Sequence, residues 1–150
     1  MGKKVGKDCK VTLGANSIQG MGTWSLDGMV VDELESTEFG DTWKTYEFGL
    51  KDGGNISFNG FFYPEDVTGQ EMLAQALLYN SGLTNLRLYV DNTSYYEPCQ
   101  STGYFSPSLT TGAPTKLSNV RITGHTISSD KSGLMNVSFT GKVSGMMALV

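Results

Sequence analysis

A chain of 150 residues, 39% of them hydrophobic, suffices for one domain with a sizeable core and is too short to expect two. Its formal charge of -4 argues against a sequence-specific nucleic-acid binder, and no apolar run approaches the roughly 20 residues that a membrane-spanning helix needs. Two cysteines, Cys9 and Cys99, are too few for a disulfide framework and lack zinc-site spacing, so free, reduced thiols are expected.

Glycine is abundant, 19 residues, while proline is scarce, 4 residues, which favours turns and bulges of an all-β fold over low-complexity sequence. The first segment, "MGKKVGKDCKVTLG", is positively charged without an apolar stretch behind it, so a soluble protein not exported by a signal peptide is expected. Gly6 stands where a myristoylation signal needs Ser or Thr. Residues 1–20 read as an extended arm with a short strand near Lys10 to Leu13. The arm carries Lys3, Lys4, Lys7 and Lys10; no basic residue then occurs from Val11 to Trp43, where Asp27, Asp32, Glu33, Glu35, Glu38 and Asp41 fall. Both segments read either as solvated surface or as complementary patches that attract copies head to tail.

In "GTWSLDGMVV" Trp24 and Leu26 alternate with Thr23, Ser25 and Asp27, a strand pattern. "DTWKTYEFGL" and "NISFNGFFY" flank Asp52, Gly53 and Gly54, which predicts a hairpin between those two strands. In the second of them Ile56, Phe58, Gly60 and Phe62 share one face, and Asn55, Ser57 and Asn59 the other. A single helix is predicted in "TGQEMLAQALLYNSG", with Thr68 and Glu71 as a capping box, a stripe of Met72, Leu73, Ala76 and Leu77, and a stop at Asn80 to Gly82. "LRLYVD" is a half-buried strand, and Asn92 to Pro114 reads as loops with room for one strand. "KLSNVRITGHTIS" and "LMNVSFTGKVSGMMAL" are two long strands joined by the turn "SDKSG", with Gly124 and Gly141 as bulges. The sum is a mainly β, antiparallel β-sandwich or barrel-like domain with one flanking α-helix, spanning 1–150.

Catalytic signals are missing. His125 is the only histidine and lies in a strand pattern, so a triad or histidine-rich metal site has nothing to draw on. Glu65 and Asp66 read as a solvated approach to the helix N-terminus. The N-x-Ser/Thr triplets at Asn55, Asn92 and Asn136 read as chance matches. No enzyme, cofactor or metal is expected.

"GTWSLDGM", "ESTEFGDTWKTYEFGLKDGGNISFNGFFYP", "TGQEMLAQAL", "LRLYVD" and "GKVSGMM", in this order, resemble the major tail tube proteins of long, non-contractile bacteriophage tails, over about residues 10–148. The resemblance implies a tail tube fold and subunits arranged in hexameric rings, each adding strands to an inner β-barrel. Stacked rings then form a hollow tube through which DNA leaves the capsid. It also implies that the loop between the first two long strands reaches the neighbouring ring. Here that loop is 31–44, with Asp32, Glu33, Glu35, Glu38, Phe39, Asp41, Trp43 and Lys44 as contact residues; it is short for the family. Implied partners are further copies of the chain, the tape measure, tail tip and tail terminator proteins, and double-stranded DNA passing non-specifically, with no membrane. The implied location is the virion tail, assembled in the host bacterial cytoplasm.

Elementary physics agrees with such a role. Ring closure covers strand edges that an isolated sandwich leaves open. A conduit also lets DNA slide only if its wall lacks the Lys and Arg that grip phosphates. The neutral rows Asn55, Ser57, Asn59 and Asn136, Ser138, Thr140 are the lumen candidates, with Lys142 as the charged exception. Lys3, Lys4, Lys7 and Lys10 are then expected to meet the acidic loop of an adjacent ring. Two other readings stay open. One is a carbohydrate-binding or decoration sandwich using Trp24, Trp43, Tyr46, Tyr89, Tyr95, Tyr96 and Tyr104. The other is the inner tube of a contractile tail or type VI-like secretion apparatus.

Overall fold

A computed structural model describes residues 3, 4, 6, 9–99, 118–129 and 131–149. Gly2, Lys7, Tyr104, positions 100–114 of the expected loop region and Asp130 of the expected turn lie outside them. The described elements are β1 (Lys10–Leu13), β2 (Asn16–Ser17), β3 (Met21–Asp27), β4 (Val30–Glu35), β5 (Tyr46–Asp52), β6 (Asn55–Phe61), α1 (Gln70–Leu78), β7 (Gly82–Leu83), β8 (Leu86–Tyr89), β9 (Tyr95–Pro98), β10 (Asn119–Ser128), β11 (Asn136–Ser144) and β12 (Met147–Leu149). They form two antiparallel sheets, β12-β9-β8-β1-β2 and β3-β6-β11-β10-β7, and a separate β4-β5 pair. The mainly β sandwich with one flanking helix is as expected.

Alternation dictates the core. Val11, Leu13, Leu86 and Leu88 from the first sheet meet Ile56, Phe58, Val120, Ile122, Val137 and Phe139 from the second, with Leu73 and Ala76 of α1 closing the side against β10. Phe58 and Phe139 stack with ring centroids 5.5 Å apart. Trp24 ties the sheets together by donating its indole N–H to the Tyr89 carbonyl at 3.0 Å. Positions 10–18, expected within an arm, are thus largely integrated: β1 pairs with β8, and Val11, Leu13 and Ile18 are core residues.

Four local expectations need correction. First, β5 does not pair with β6. Asp52 has turn chemistry, accepting the Gly54 N–H at 2.9 Å, and Gly54 has φ +93°, but the chain changes partners there: β5 pairs back onto β4, and β6 pairs with β3 and β11. The β4-β5 hairpin is an insertion between two paired strands, leaving the sheet after Asp27 and rejoining it at Asn55. Second, the capping box is absent. Gly69 takes the N-cap position, and the buried Asp66 accepts N–H bonds from Gln70 (3.1 Å) and from remote Gln19 (2.9 Å). Asp66 is therefore an internal anchor, because a carboxylate serving two backbone donors on different elements outcompetes a local hydroxyl cap. Its neighbour Gln70 donates to the Gln19 and Phe61 carbonyls (2.7 and 2.8 Å) and accepts the Tyr63 N–H (3.1 Å). Third, Met72 is exposed, so the helix stripe is narrower than its sequence pattern. Fourth, the last strand breaks at Gly145 (φ +99°), where β11 ends and β12 crosses to the other sheet; a Cβ there would collide with Ser118. The ladder irregularity at Gly124 is present, with Thr123 as the extra residue, whereas Gly141 sits in regular register with Ile122 and Ile56.

Candidate functional site

The face of β3-β6-β11-β10 turned away from the core is a polar ladder. Register aligns Thr23, Asn59, Ser138 and Thr126 in one row, Ser25, Ser57, Thr140 and Gly124 in the next, and Asp27, Asn55, Lys142 and Arg121 in the third. Cross-strand bonds knit it: Thr23 donates to the Asn59 side chain, and the Ser25 and Ser57 hydroxyls lie 2.6 Å apart. Every lumen candidate therefore falls on one face. Lys142 is not a bare cation, for its ammonium donates to both Asp52 carboxylate oxygens at 2.8 and 2.9 Å. That ammonium, and after it the Gly54 N–H, holds the Asp52 carboxyl below its usual value. Arg121 donates to the Asn80 carbonyl at the C-terminal end of α1. The first two rows are neutral and rich in hydroxyls and amides, whereas the third carries Asp27, Lys142 and the exposed Arg121.

The sheet has open edges. β3 bonds only to β6, and beyond Arg121 β10 bonds only to β11, because β7 covers just Val120 and Arg121 among the described residues. Such edges present unpaired backbone groups ready to accept another strand.

In the predicted contact segment 31–44, Val31 to Glu35 are strand and the remaining residues form the tip. Asp32, Glu33 and Glu35 lie on β4, and the tip between Glu35 and Tyr46 is closed by its own bonds: Ser36 N–H to the Thr45 carbonyl (2.8 Å), Thr45 N–H to the Thr37 hydroxyl (3.0 Å) and Glu38 N–H to the Asp41 carboxylate (2.7 Å). All eight predicted contact residues, Glu38, Asp41 and Lys44 included, are exposed, and Phe39 and Trp43 stand out fully at the tip, 109% and 83% accessible. Both faces of the hairpin carry uncovered apolar groups, among them Leu34, Phe48 and Leu50.

Two of the arm lysines, Lys4 and Lys10, are engaged within the chain. Lys4 pairs with Asp91 at 2.7 Å, and the Lys10 ammonium lies 4.5 Å from the Tyr89 ring centroid. The Lys4 ammonium first, then the Thr93 and Ser94 N–H groups, hold the Asp91 carboxyl far below the usual carboxylate range. Lys3 is exposed, and Lys7 lies outside the described residues.

His125 stacks flat on Phe139 with centroids 4.4 Å apart, and burial pushes its pKa down. Its Nε2 is buried with no hydrogen-bond partner among the described residues. The same residues hold no group of three or more His, Cys, Asp or Glu side chains that could ligate a metal, and no helix long and apolar enough to cross a membrane. Asp66, read from the sequence as part of a solvated helix approach, is buried, and sequence reasoning missed both it and Gln70 as anchors. The anchors could not be found locally, since their partners lie as far away as Gln19.

The sequence matches no protein-family model and no curated protein. Solved structures do match. A chain in the tail of an empty gene transfer agent particle, refined with helical C6 symmetry, is 13% identical, with 99% of both chains covered and a TM-score of 0.70. This is the tail-tube fold. A chain of the sheath–tube complex of an extracellular contractile injection system in its extended state is 13% identical, with 99% of this chain and 91% of that chain covered and a TM-score of 0.58. A chain of the anti-feeding prophage tube-terminating cap is 12% identical, with 100% and 92% covered and a TM-score of 0.59. Identities this low carry the architecture of the tail-tube fold across, and no more.

Proposed function

We propose that this chain is a structural subunit of a phage-type tail tube: hexameric rings, closed by strand pairing between neighbours and stacked into a hollow conduit for DNA. The observation that carries the reading is a neutral polar sheet face bounded by two open strand edges. Pairing β3 of one copy with β10 of the next would close those edges and turn the ladder of Asn55, Ser57, Asn59, Asn136, Ser138 and Thr140 inward. The two rows of hydroxyls and amides offer phosphates no cationic grip and Lys142 is neutralised by Asp52, which leaves Arg121 as an exposed cation at the hairpin end of the wall. The β4-β5 hairpin is the contact to the adjacent ring. Lys3, Lys4, Lys7 and Lys10 add a weaker one to its acidic residues, for which Lys4 exchanges Asp91 for a carboxylate of the next subunit. Tape measure, tip and terminator proteins belong to the same reading, as does assembly in the host cytoplasm.

Likeness to a sheath–tube complex supports a second reading, the inner tube of a contractile apparatus. The cation and aromatic row of Lys10, Tyr89, Tyr95 and Arg87 on the other sheet then faces the sheath. Negative-stain electron microscopy of the purified protein over a range of concentration and salt is the test. Hollow tubes or six-fold rings are expected. A protein that stays monomeric throughout and binds glycans on an array would replace this reading with the carbohydrate-binding one.

A further inference from the structure

The polar ladder carries charge in its third row alone, on Asp27, Lys142 and Arg121. Lys142 lies inside the sheet and is paired with Asp52. The other two are exposed and stand on opposite sides of the sheet, Asp27 on β3 and Arg121 on β10, both at the end nearest the hairpin root. The Asp27 carboxylate has no hydrogen-bond or ion-pair partner among the described residues. Arg121 engages the Asn80 carbonyl through one Nη, with its Nε and other Nη unengaged among the same residues. Gly82 of β7 sits opposite Arg121 and has no side chain, so the guanidinium extends over β7, as its bond to nearby Asn80 shows. Elsewhere the two sides are neutral on this face, with Thr23 and Ser25 on β3 and Thr126 and Ser128 on β10.

We propose that Asp27 of one copy and Arg121 of the next form an ion pair across the seam between subunits, and that this pair selects which edges meet and in which register. β3 runs antiparallel to β10, so the β3 of a neighbour continues the ladder beyond β10 with its Asp27 at the Arg121 end. Because β7 already bonds Val120 and Arg121, backbone pairing starts beyond them and Asp27 comes to lie across β7 from Arg121. Neighbouring strands are about 4.8 Å apart, so one intervening strand leaves the two Cα atoms roughly 10 Å apart, a span the two side chains cover together. Complementary charges fix register and suppress wrong partners, and the planar guanidinium suits a carboxylate. An antiparallel β3–β3 or β10–β10 contact would instead hold like charges at opposite ends of the seam and give neither a counter-charge. The pair also neutralises the one exposed cation of the wall. The inference rests on the ring reading and adds to it the residues that choose the neighbour.

The test uses full-length Asp27→Arg and Arg121→Asp chains purified separately. Both positions are exposed, so both chains should fold, as circular dichroism checks. Alone, each variant sets like charges together at every seam and should need at least about tenfold more protein than wild type to form rings, read by electron microscopy and sedimentation. Mixed in equal amounts they should co-assemble, since alternation puts opposite charges at every seam of an even-membered ring. Both changes in one chain should assemble like wild type. At about 1 M salt the deficit of the single variants should shrink, because exposed charges are screened. Wild-type rings alongside an Asp27→Arg chain that assembles equally well, or folded single variants that do not recover on mixing, overturn the ion pair and leave the ring reading standing. Asp27→Arg decides alone if Arg121→Asp, which gives up the Asn80 bond, does not fold. Wild-type protein that forms no rings under any condition overturns the ring reading and the ion pair with it.

Discussion

The ladder β6-β11-β10 and the hairpin β4-β5 are written in the same alternating code, yet one is packed and the other bare. Along β6 and β11 every second residue is buried, whereas every residue of β5 is exposed on both faces. Alternation therefore specifies a strand and two faces, and says nothing of what covers them. In the ladder the covering is the same chain. The hairpin and its approach have no such covering among the described residues, and Met29, Val30, Leu34, Phe39, Trp43, Tyr46, Phe48 and Leu50 form an uncovered apolar and aromatic surface of the kind that marks an interaction site.

Substitutions of one type in the two regions should separate these roles. Phe139→Ala removes a fully buried ring from the stack with Phe58 and His125 and should cost about 3–5 kcal/mol in urea unfolding of the monomer. Phe48→Ala, on the bare hairpin, should leave that value within about 0.5 kcal/mol and instead reduce tube yield by light scattering. Equal losses of monomer stability would erase the distinction. Between these extremes lies Gln70→Ala, which strands the Gln19 and Phe61 carbonyls and the Tyr63 N–H and should cost about 1–3 kcal/mol. A thermal melt indistinguishable from wild type would show that water replaces the amide.

A smaller effect is expected from pH. Burial lowers the folded-state pKa of His125 below its unfolded value of about 6.5, so the unfolded chain binds the proton more readily. Stability should be full above about pH 6.5 and decline as pH falls from there toward the folded pKa. His125→Gln should flatten that part of a melting-temperature series, and an unaltered slope would place the titration elsewhere. Smallest of all should be the change of Lys3, Lys4, Lys7 and Lys10 to Glu. It should leave the monomer melt nearly unmoved and lower tube yield mainly at low salt, where charge contacts are least screened. Unchanged yield at low salt would remove the lysine arm from the assembly contact.

Which residues alternate, and hence the core row of Ile56 and Phe58 and the polar row of Asn55, Ser57 and Asn59, was readable from local pattern. Which strands pair was not. Asp52-Gly53-Gly54 has the chemistry of a hairpin turn, and Asp52 accepts the Gly54 N–H, but a turn cannot reveal whether its flanking strands face each other or distant partners. The helix start illustrates the same limit. Thr68 and Glu71 have capping-box spacing, whereas Asp66 wins by reaching Gln19, a residue 47 positions away. The segment 31–44, expected as an acidic loop, is largely exposed, yet Val31 to Glu35 are strand, because their pairing with β5 is not marked by any local motif.

The way the hairpin joins the body has a mechanical consequence. It is rooted at Asp27 and Asn55, two residues paired with each other at the end of β3 and β6. A pull on the hairpin along those strands would slide β6 along β11, loading a run of cross-strand bonds from Asn136–Phe61 to Lys142–Asn55 together instead of peeling them one at a time. A filament built on such roots would resist tension in shear, so its weak points would be the docked tips between subunits, and it would break there while its subunits stayed folded.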